Sequence, residues 1–290
     1  AATAEKVWPE ENNMDIAMAL LTKIKILARQ NPGDVSTDGV YSKFDYEIDP
    51  SLPVKPNSLL ISVKGNPNFG LVRTLMVGVK NNTIDGIDPN NIPIVDRKVV
   101  GEVWFNELRL AGMENKGGMA AVGTLDSNLA DFATLSATGK ISTIGFGALE
   151  DGPNERSRRD IKQYNIVTNL NIGKLLPKKW GINLPFNYGI GEEIVTPEYD
   201  PFNQDIRLNQ LIDVTNDPLE KDNVINRAIE YTKTQSINFI GVKKERGVKQ
   251  KSHIYDPENL TLSYSYNKIQ KHDFEIEEYM DQQVRTSADY

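Results

Sequence analysis

Histidine is the first residue type to consider for chemistry, since imidazole is a frequent general base and zinc ligand. The chain contains two histidines, His253 and His272, and no cysteine. Neither histidine has a second zinc ligand or a triad partner at motif spacing, and both stand among charged residues. We therefore expect solvated surface histidines, with no zinc site, no histidine triad and no cysteine nucleophile.

Glycine-rich and acidic segments are the next candidates. "GFGALEDG" at 145–152 and "GIGEE" at 189–193 resemble phosphate loops, but neither has G-x-G-x-x-G spacing between a strand and a helix. "DGIDPNN" and "DPFNQD" gather oxygen ligands without EF-hand spacing, and turn chemistry explains both. Glu192 and Glu193 are adjacent and would point to opposite faces of a strand, which is unsuitable for an acid and base pair. No catalytic, cofactor-binding or metal-binding residue is predicted, and an enzyme is not expected.

Composition limits the class of protein. At 290 residues the chain has room for one large or two ordinary domains. Its 33 basic and 40 acidic residues leave a net charge of -7, which argues against nonspecific binding to nucleic acid or anionic lipid. No run approaches the roughly 18 apolar residues of a transmembrane helix, and the first residues lack a signal-peptide pattern. A transmembrane barrel stays possible, because its strands alternate apolar and polar residues.

One clear helix is predicted near the start of the chain. Apolar residues recur there at helical spacing, at Ile16, Leu20, Ile24 and Leu27. Asn12 or Asn13 is the predicted N-cap. The "NPG" at 31–33 is the predicted stop, since proline cannot continue a helix.

From about Tyr41 to Leu110 the pattern changes to short strands separated by turn clusters. The strand candidates are "SLLISVKG", "LVRTLMVGVK" and "GEVWFNELRL". In the last of these, Trp104 and Phe105 face opposite sides of a strand, so at least one ring is expected in a core. Residues 1–112 are therefore predicted to form the helix plus a small antiparallel, jelly-roll-like β-sandwich.

Residues 113–290 show a different pattern, of alternating strands of about ten residues joined by short turns and long polar loops. Strands are predicted within 119–144, 236–244 and 259–269. Short helices are predicted at 205–213 and 223–232. The pattern fits either a soluble β-sandwich or part of a transmembrane barrel, and alternation alone favours the soluble sandwich.

The clearest alternation lies in residues 182–191. One face carries apolar residues, namely Ile182, Leu184, Phe186, Tyr188 and Ile190. The other face carries Asn183, Pro185, Asn187, Gly189 and Gly191. The apolar span is close to the 9 to 11 or so residues of a tilted membrane-spanning strand. Pro185 counts against a central barrel strand because it cannot donate a ladder hydrogen bond, and a local bulge is the expected remedy.

Several segments resemble one family, and they occur in the same order. They are "WPEENNMD", "GEVWFNELRL", "KGGMAA", "LADFATLSATGKISTIGFGALE", "NERSRRD" and "TPEYDPFNQDI". Over nearly its whole length the chain is similar to an internal portion of the SprA/Sov family. That family is the giant outer-membrane translocon of the type IX secretion and gliding machinery of Bacteroidetes bacteria.

The resemblance implies a mainly β fold in which residues 113–290 supply antiparallel strands and long loops to a large, here incomplete, transmembrane β-barrel. It implies an outer-membrane location and the export of folded cargo proteins. The implied partners are the cargo, a PorV-type barrel, a Plug protein, a periplasmic prolyl isomerase and outer-membrane lipid. The family has no catalytic residues to assign, and no cofactor is expected.

The resemblance also assigns the two faces of residues 182–191. The lipid-facing residues would be Ile182, Leu184, Phe186, Tyr188 and Ile190. The lumen-facing residues would be Asn183, Asn187, Gly189 and Gly191. Lys178, Lys179 and Trp180 would form a short turn at one membrane boundary, with the indole at headgroup level.

A second class of function stays open: a soluble carbohydrate-binding-like β-sandwich module of a cell-surface protein. "GEVWFNELRL" is also typical of the closing strand of jelly-roll carbohydrate-binding domains, and Trp8, Trp104 and the tyrosines could stack on sugars. Tight, specific sugar binding by residues 1–112 would favour this alternative.

Overall fold

The structure is a computed structural model, and its description covers part of the chain. The residues described are 3, 6, 13–55, 58–78, 101–109, 111, 116–152, 155–247, 251 and 253–290. Among them, no helix combines the length and the hydrophobicity needed to cross a membrane.

The first part of the chain forms a small helix-on-sheet unit, here called the N-terminal unit (residues 18–64). Its elements are α1 (Met18–Gln30), β1 (Val40–Phe44), α2 (Asp45–Ile48) and β2 (Leu60–Lys64). The strands pair antiparallel, with Tyr41 opposite Val63. The buried core of the unit comprises Leu20, Ile24, Tyr41, Ile48, Ile61 and Val63. Both the helix and the sheet therefore bury one apolar face against each other.

The predicted helix is confirmed, with one correction at its start. Helix α1 begins at Met18 with Ala17 as N-cap. Asn13 lies outside the helix, so the prediction that it is the cap is wrong, and Asn12 lies outside the described residues. The predicted stop is correct: the helix ends at Gln30, and the Asn31 side-chain Nδ2 donates to the Leu27 carbonyl oxygen at 3.0 Å.

The predicted sandwich does not appear in the described residues. Residues 72–78 and 101–109 form no strand, and the two-stranded β1–β2 sheet has no second sheet packed on it there. Trp104 is 79% exposed and Phe105 is 59% exposed, so the prediction that one of them fills a core is wrong. Apolar alternation becomes a strand only when a partner strand completes its hydrogen bonds, and none of the described residues pairs with these segments.

The second part of the chain forms an antiparallel sheet, here called the main sheet. Its strands are β3 (Ala120–Leu129), β4 (Ala133–Ser142), β5 (Arg159–Asn171), β6 (Ile182–Asn183), β7 (Pro185–Pro197), β10 (Glu230–Lys244), β11 (Thr261–His272) and β12 (Tyr279–Asp289). Their order in the sheet is β12-β11-β10-β7-β5-β4-β3, and the short β6 pairs with β10 beside this path. Each strand of the path pairs with its predecessor along it, so the sheet is an up-and-down meander. In the part of the chain that the structure describes, the sheet is not closed, and β3 and β12 are its two edges.

A longer insertion, here called the β7–β10 connection, lies between two central strands. It contains β8 (Tyr199–Asp200), β9 (Asn203–Arg207), α3 (Leu208–Val214) and α4 (Pro218–Ala228). The two short helices predicted at 205–213 and 223–232 are therefore present with shifted ends. Asp217 caps α4 by accepting a hydrogen bond from the Leu219 amide at 3.0 Å.

Pro185 is accommodated without the expected bulge. It is the first residue of β7, and Leu184 interrupts the ladder between β6 and β7. The first residue of a strand is a position that tolerates proline. The irregularity lies instead in β10, where the register shifts between Phe239 and Val242 and Gly241 has a positive φ of 77°.

Candidate functional site on the main sheet

The register of the main sheet aligns one polar residue from each strand of its path. This set, here called the amide row, comprises Asn128, Thr134, Asn169, Asn187, Asn238, Ser265 and Arg285. Adjacent strands lie about 4.8 Å apart, so neighbouring side chains of such a row are within reach of one another.

Hydrogen bonds run along the amide row in one direction. The Ser265 hydroxyl donates to Asn238 Oδ1 at 2.5 Å, and Asn238 Nδ2 donates to Asn187 Oδ1 at 2.9 Å. Asn187 Nδ2 then donates to Asn169 Oδ1 at 2.7 Å, and Asn169 Nδ2 donates to Thr134 Oγ1 at 3.1 Å. Each amide has two N–H groups and two lone pairs. Asn169, Asn187 and Asn238 each use one N–H group and one oxygen lone pair in the row, so each keeps one N–H group and one lone pair for water or a ligand.

Two glycines extend the polar surface along β7. A Cβ on Gly189 would lie 2.6 Å from Ser236 Oγ. A Cβ on Gly191 would lie 3.0 Å from Thr234 Oγ1 and 3.3 Å from Asn165 Oδ1. Polar side chains of both neighbouring strands thus lie over these glycines, on the face that carries Asn187.

The structure brings three of the four predicted lumen-facing residues together: Asn187, Gly189 and Gly191 share one polar face. Asn183 lies apart in β6, opposite Lys243. Whether this face meets an aqueous lumen stays a prediction.

The opposite face of β7 is apolar and has aromatic contacts. The Phe186 ring lies 4.9 Å from the Phe239 ring, tilted by 44°. Tyr188 is opposite Thr168 on one side and Ile237 on the other, and Ile190 is opposite Ile166. These alternating positions confirm that Phe186, Tyr188 and Ile190 share one face of a strand. Their contact with lipid stays a prediction.

The other two predicted lipid-facing residues lie before β7 begins. Ile182 is in β6, opposite Lys244, and Leu184 is at the interruption. Leu184 lines a shallow apolar groove of about 440 Å³ together with Phe239, Val242, Leu262 and Tyr264.

A charged cluster ends the apolar face beyond Ile190. Glu192 lies between Tyr164 on β5 and Lys233 on β10 in the register. The Lys233 Nζ and Glu192 Oε1 atoms are 2.7 Å apart, and the hydroxyls of Tyr164 and Tyr231 also hydrogen-bond to the Glu192 carboxylate. Charge and phenol groups thus follow the apolar residues of this face along the strand.

The predicted basic turn is confirmed as a turn. Lys178–Trp180 is a 3-10 helix that ends at Gly181, whose φ is 60°. A Cβ on Gly181 would lie 2.8 Å from the Glu245 carbonyl oxygen, so the glycine permits a close approach to the end of β10. Trp180 is 54% exposed, and its position at headgroup level stays a prediction.

The two histidines have ordinary surroundings. His272 stacks on Tyr231, and His253 stacks on Tyr255 beside Asp256. In the described ranges, no three His, Cys, Asp or Glu residues group closely enough to hold a metal ion.

The amide row was not found from the sequence. Asn187 was assigned to the polar face from its own strand, but Asn169, Asn238 and Ser265 come from strands whose register the sequence does not state. Each of these residues does occur on the polar phase of a period-two pattern, and that is the signal that could have identified them.

Comparison with known families agrees with the resemblance noted in the sequence. A family model, SprA_N, described as a motility related/secretion protein, matches residues 1–212. No curated protein matches the chain. The match covers the N-terminal unit, strands β3 to β7 of the main sheet and the first part of the β7–β10 connection, which is more than half of the 290 residues. The chain therefore belongs to the SprA_N family of motility-related and secretion proteins.

Proposed function

We propose that this chain is part of the wall of an outer-membrane, protein-conducting β-barrel that exports folded cargo proteins in type IX secretion and gliding motility. The amide row faces the aqueous lumen, and the face that carries Phe186, Tyr188 and Ile190 meets lipid. The role is structural and needs no catalytic residue.

One observation carries the proposal: among the described residues, no buried apolar cluster belongs to the main sheet. In the described chain, the two buried apolar clusters lie in the N-terminal unit and in the helices of the β7–β10 connection. Apolar side chains on the face that carries Phe186, Tyr188 and Ile190 are exposed instead, among them Leu125 at 59%, Leu129 at 57% and Val284 at 59%. An apolar face this open would aggregate in water, whereas lipid would cover it.

Strand length supports the same conclusion. The strands of the main path have 10 to 15 residues. A tilted strand needs roughly 9 to 11 residues to cross the hydrocarbon core. Each strand of the path could therefore span the membrane and still extend beyond one surface.

The apolar band also shifts along the strands in the way that strand tilt requires. Next to Ile190 the row continues into β10, β11 and β12 as Gln235, Lys268 and Gln282. A strand tilt of about 40° lifts a row by about 9 Å over three strands, from the inter-strand spacing and tilt of such barrels. These polar residues would then stand at the membrane surface, while Leu262 and Tyr264 on β11 continue the band.

The unpaired edges indicate where further strands would join. Strands β3 and β12 each have one free side in the described sheet, and open edges do not occur in lipid. Strands from other parts of a longer chain would complete the barrel. The PorV-type barrel, the Plug protein and the periplasmic prolyl isomerase are proposed partners on family grounds alone.

Obstruction of the lumen tests this function directly. The chain has no cysteine, so a single thiol can be introduced by Asn187→Cys on the polar face or by Ile190→Cys on the apolar face. Bulky polar maleimide should react at position 187 in intact cells and slow the appearance of secreted cargo. In the Ile190→Cys variant the maleimide should not react, and export of cargo should be unchanged.

Lys179→Cys, in the 3-10 turn at the end of the sheet, is the matched control. It should react with the maleimide without slowing export, because the turn lies outside the conducting wall. Full export after complete labelling at position 187 would show that the polar face does not line the path of the cargo.

A further inference from the structure

Helix α1 docks onto the β7–β10 connection through a buried ion pair. Lys25 Nζ lies 2.8 Å from both Asp205 Oδ1 and Asp205 Oδ2, and each side chain is only 3% exposed. The backbone N–H of Phe69 also donates to Asp205 Oδ2, at 3.1 Å. The carboxylate is therefore held by two segments that are distant from it in sequence.

Further polar contacts surround this pair. Arg29 Nη1 donates to Asn203 Oδ1 at 2.7 Å, and Asn203 Nδ2 donates to Asp200 Oδ2 at 2.6 Å. Asp200 is fully buried. Thr22 hydrogen-bonds to Gln210 on α3, with its hydroxyl 3.1 Å from Gln210 Oε1. One side of α1 thus contributes polar groups to the contact at three successive turns.

The apolar cores on the two sides of this contact stay separate. The core of the N-terminal unit contains no residue of the connection, and the Leu208, Val224 and Ala228 cluster contains none of the N-terminal unit. The Lys25 and Asp205 side chains are each only 3% exposed, so the contact between the two sides excludes water at the ion pair. Each side can therefore keep its own core when the contact opens.

In the docked state of α1, neither Lys25 nor Asp205 is stable without the other, because each charge compensates the other in the buried site. Two charges lose their hydration when they enter the interface, and their attraction offsets this only while the pair is intact. Loss of one partner leaves a buried charge without compensation. Separation of the two surfaces returns both charges to water, which makes the open state less costly than exposing an apolar core of equal area.

The protonation of Asp205 is compatible with a persistent pair. Burial alone would raise the pKa of Asp205, but the hydrogen bonds from the Lys25 ammonium and the Phe69 amide outweigh burial and lower the pKa below its usual value. The carboxylate is therefore charged at neutral pH when α1 is docked.

We propose that Lys25 and Asp205 form a docking latch, through which the N-terminal unit binds to and separates from the β7–β10 connection as one body while the main sheet stays folded. The connection lies between the end of β7 and the start of β10, so the latch joins the N-terminal unit to the chain at that end of the main sheet. This inference does not depend on a membrane location.

Hydrogen exchange in the full-length protein in detergent tests the latch. Lys25→Met should raise exchange in residues 18–30 and 203–207 by more than about tenfold, because it leaves the Asp205 charge buried and unpaired. Residues 185–197 of β7 should exchange as in the unchanged protein. The double variant Lys25→Met, Asp205→Leu should restore slow exchange, because it removes both charges and fills the site with apolar groups.

Lys23→Met is the matched control on the same helix. Lys23 pairs with Asp49 at 2.8 Å inside the N-terminal unit, and that pair is about one-quarter exposed. Its loss should leave exchange at 203–207 unchanged. The latch is contradicted if Lys25→Met behaves like Lys23→Met, if the double variant exchanges as fast as the single one, or if β7 exchange rises together with the interface.

Discussion

The N-terminal unit and the main sheet reach stability by different means. In the N-terminal unit, helix α1 covers a two-stranded sheet, and Ile24 and Tyr41 are almost completely buried. The main sheet has many more hydrogen-bonded strands, yet Ala133 and Val195 are its only buried apolar residues in the described chain. A sheet can therefore pair the backbone of all its inner strands and still leave its apolar side chains to the surroundings.

The difference implies that the stability of each region depends on a different kind of contact. Burial within the chain stabilises the N-terminal unit, so its stability should not depend on lipid. The main sheet has polar and apolar faces that are fixed by register but are not covered. Its stability should therefore depend on what covers the apolar face.

The largest expected effect is the loss of core packing in the N-terminal unit. Ile24 is 0% exposed, and Ile24→Ala should lower the free energy of unfolding of the unit by about 2 to 5 kcal/mol, from lost burial and the cavity left behind. Denaturant unfolding monitored by hydrogen exchange in residues 18–64 measures it. Leu60→Ala, at a residue that is 60% exposed on β2, should change that free energy much less.

A charge on the apolar face of the main sheet should have the next largest effect. Leu125 faces the same side as Ile190 through the aligned residues Ala137 and Ile166. In membranes, Leu125→Arg should cost about 2 to 4 kcal/mol if the residue lies near the bilayer midplane. Urea unfolding in liposomes gives this difference.

Asp126→Arg is the control on the next residue of the same strand. It points to the polar face, where a charge stays hydrated, and its cost should fall well below that of Leu125→Arg. Equal costs at the two positions would remove the distinction between the faces.

A smaller effect is expected from the amide row. Asn187 donates to Asn169 and accepts from Asn238, and each net hydrogen bond contributes about 0.5 to 1.5 kcal/mol. Asn187→Ala should therefore destabilise the sheet by about 1 to 3 kcal/mol. A double-mutant cycle with Asn238→Ala should give a coupling energy of about 0.5 kcal/mol or more, since the two side chains share a bond. Additive effects would show that the row is not coupled.

The smallest expected effect is a change with pH in the stability of the N-terminal unit. The hydrogen bonds from Lys23 and then from Ser51 lower the pKa of Asp49 from 3.8 to about 2. A depressed folded-state pKa means that the stabilisation is fully present above pH 3.8 and is lost as the pH falls through about 2. Carboxyl titration by NMR should show this midpoint, and Lys23→Met should return it towards the ordinary value.

The sequence predicted local elements better than their partners. Helix α1 was found because Leu20, Ile24 and Leu27 recur at helical spacing, and β7, β10 and β11 were found because they alternate. Strand β12 was missed because "YMDQQVRTSAD" has few apolar residues, and its pairing with β11 supplies what its composition lacks. The apparent strands around Leu75 and Trp104 failed for the opposite reason, since apolar alternation there has no partner in the described chain.

In the candidate site, too, features within one strand could be predicted from the sequence, whereas contacts between distant segments could not. The two faces of β7 could be read from a period of two, because that period belongs to one strand. The amide row and the Lys25–Asp205 pair could not, because they join residues whose separation in sequence carries no local signal. The amide row depends on the register between strands, and the Lys25–Asp205 pair depends on how helix α1 docks on the β7–β10 connection.

The membrane-facing role of the main sheet is tested most directly by measuring what surrounds each face of β7 in a membrane. Single thiols introduced by Ile190→Cys and by Asn187→Cys would carry the same fluorophore, with quenching measured from lipid-borne and from water-soluble quenchers. If the apolar face meets lipid, the label at position 190 is quenched from lipid and the label at position 187 is quenched from water. Protection of position 190 from both quenchers would place it in an ordinary protein core and contradict a membrane-facing sheet.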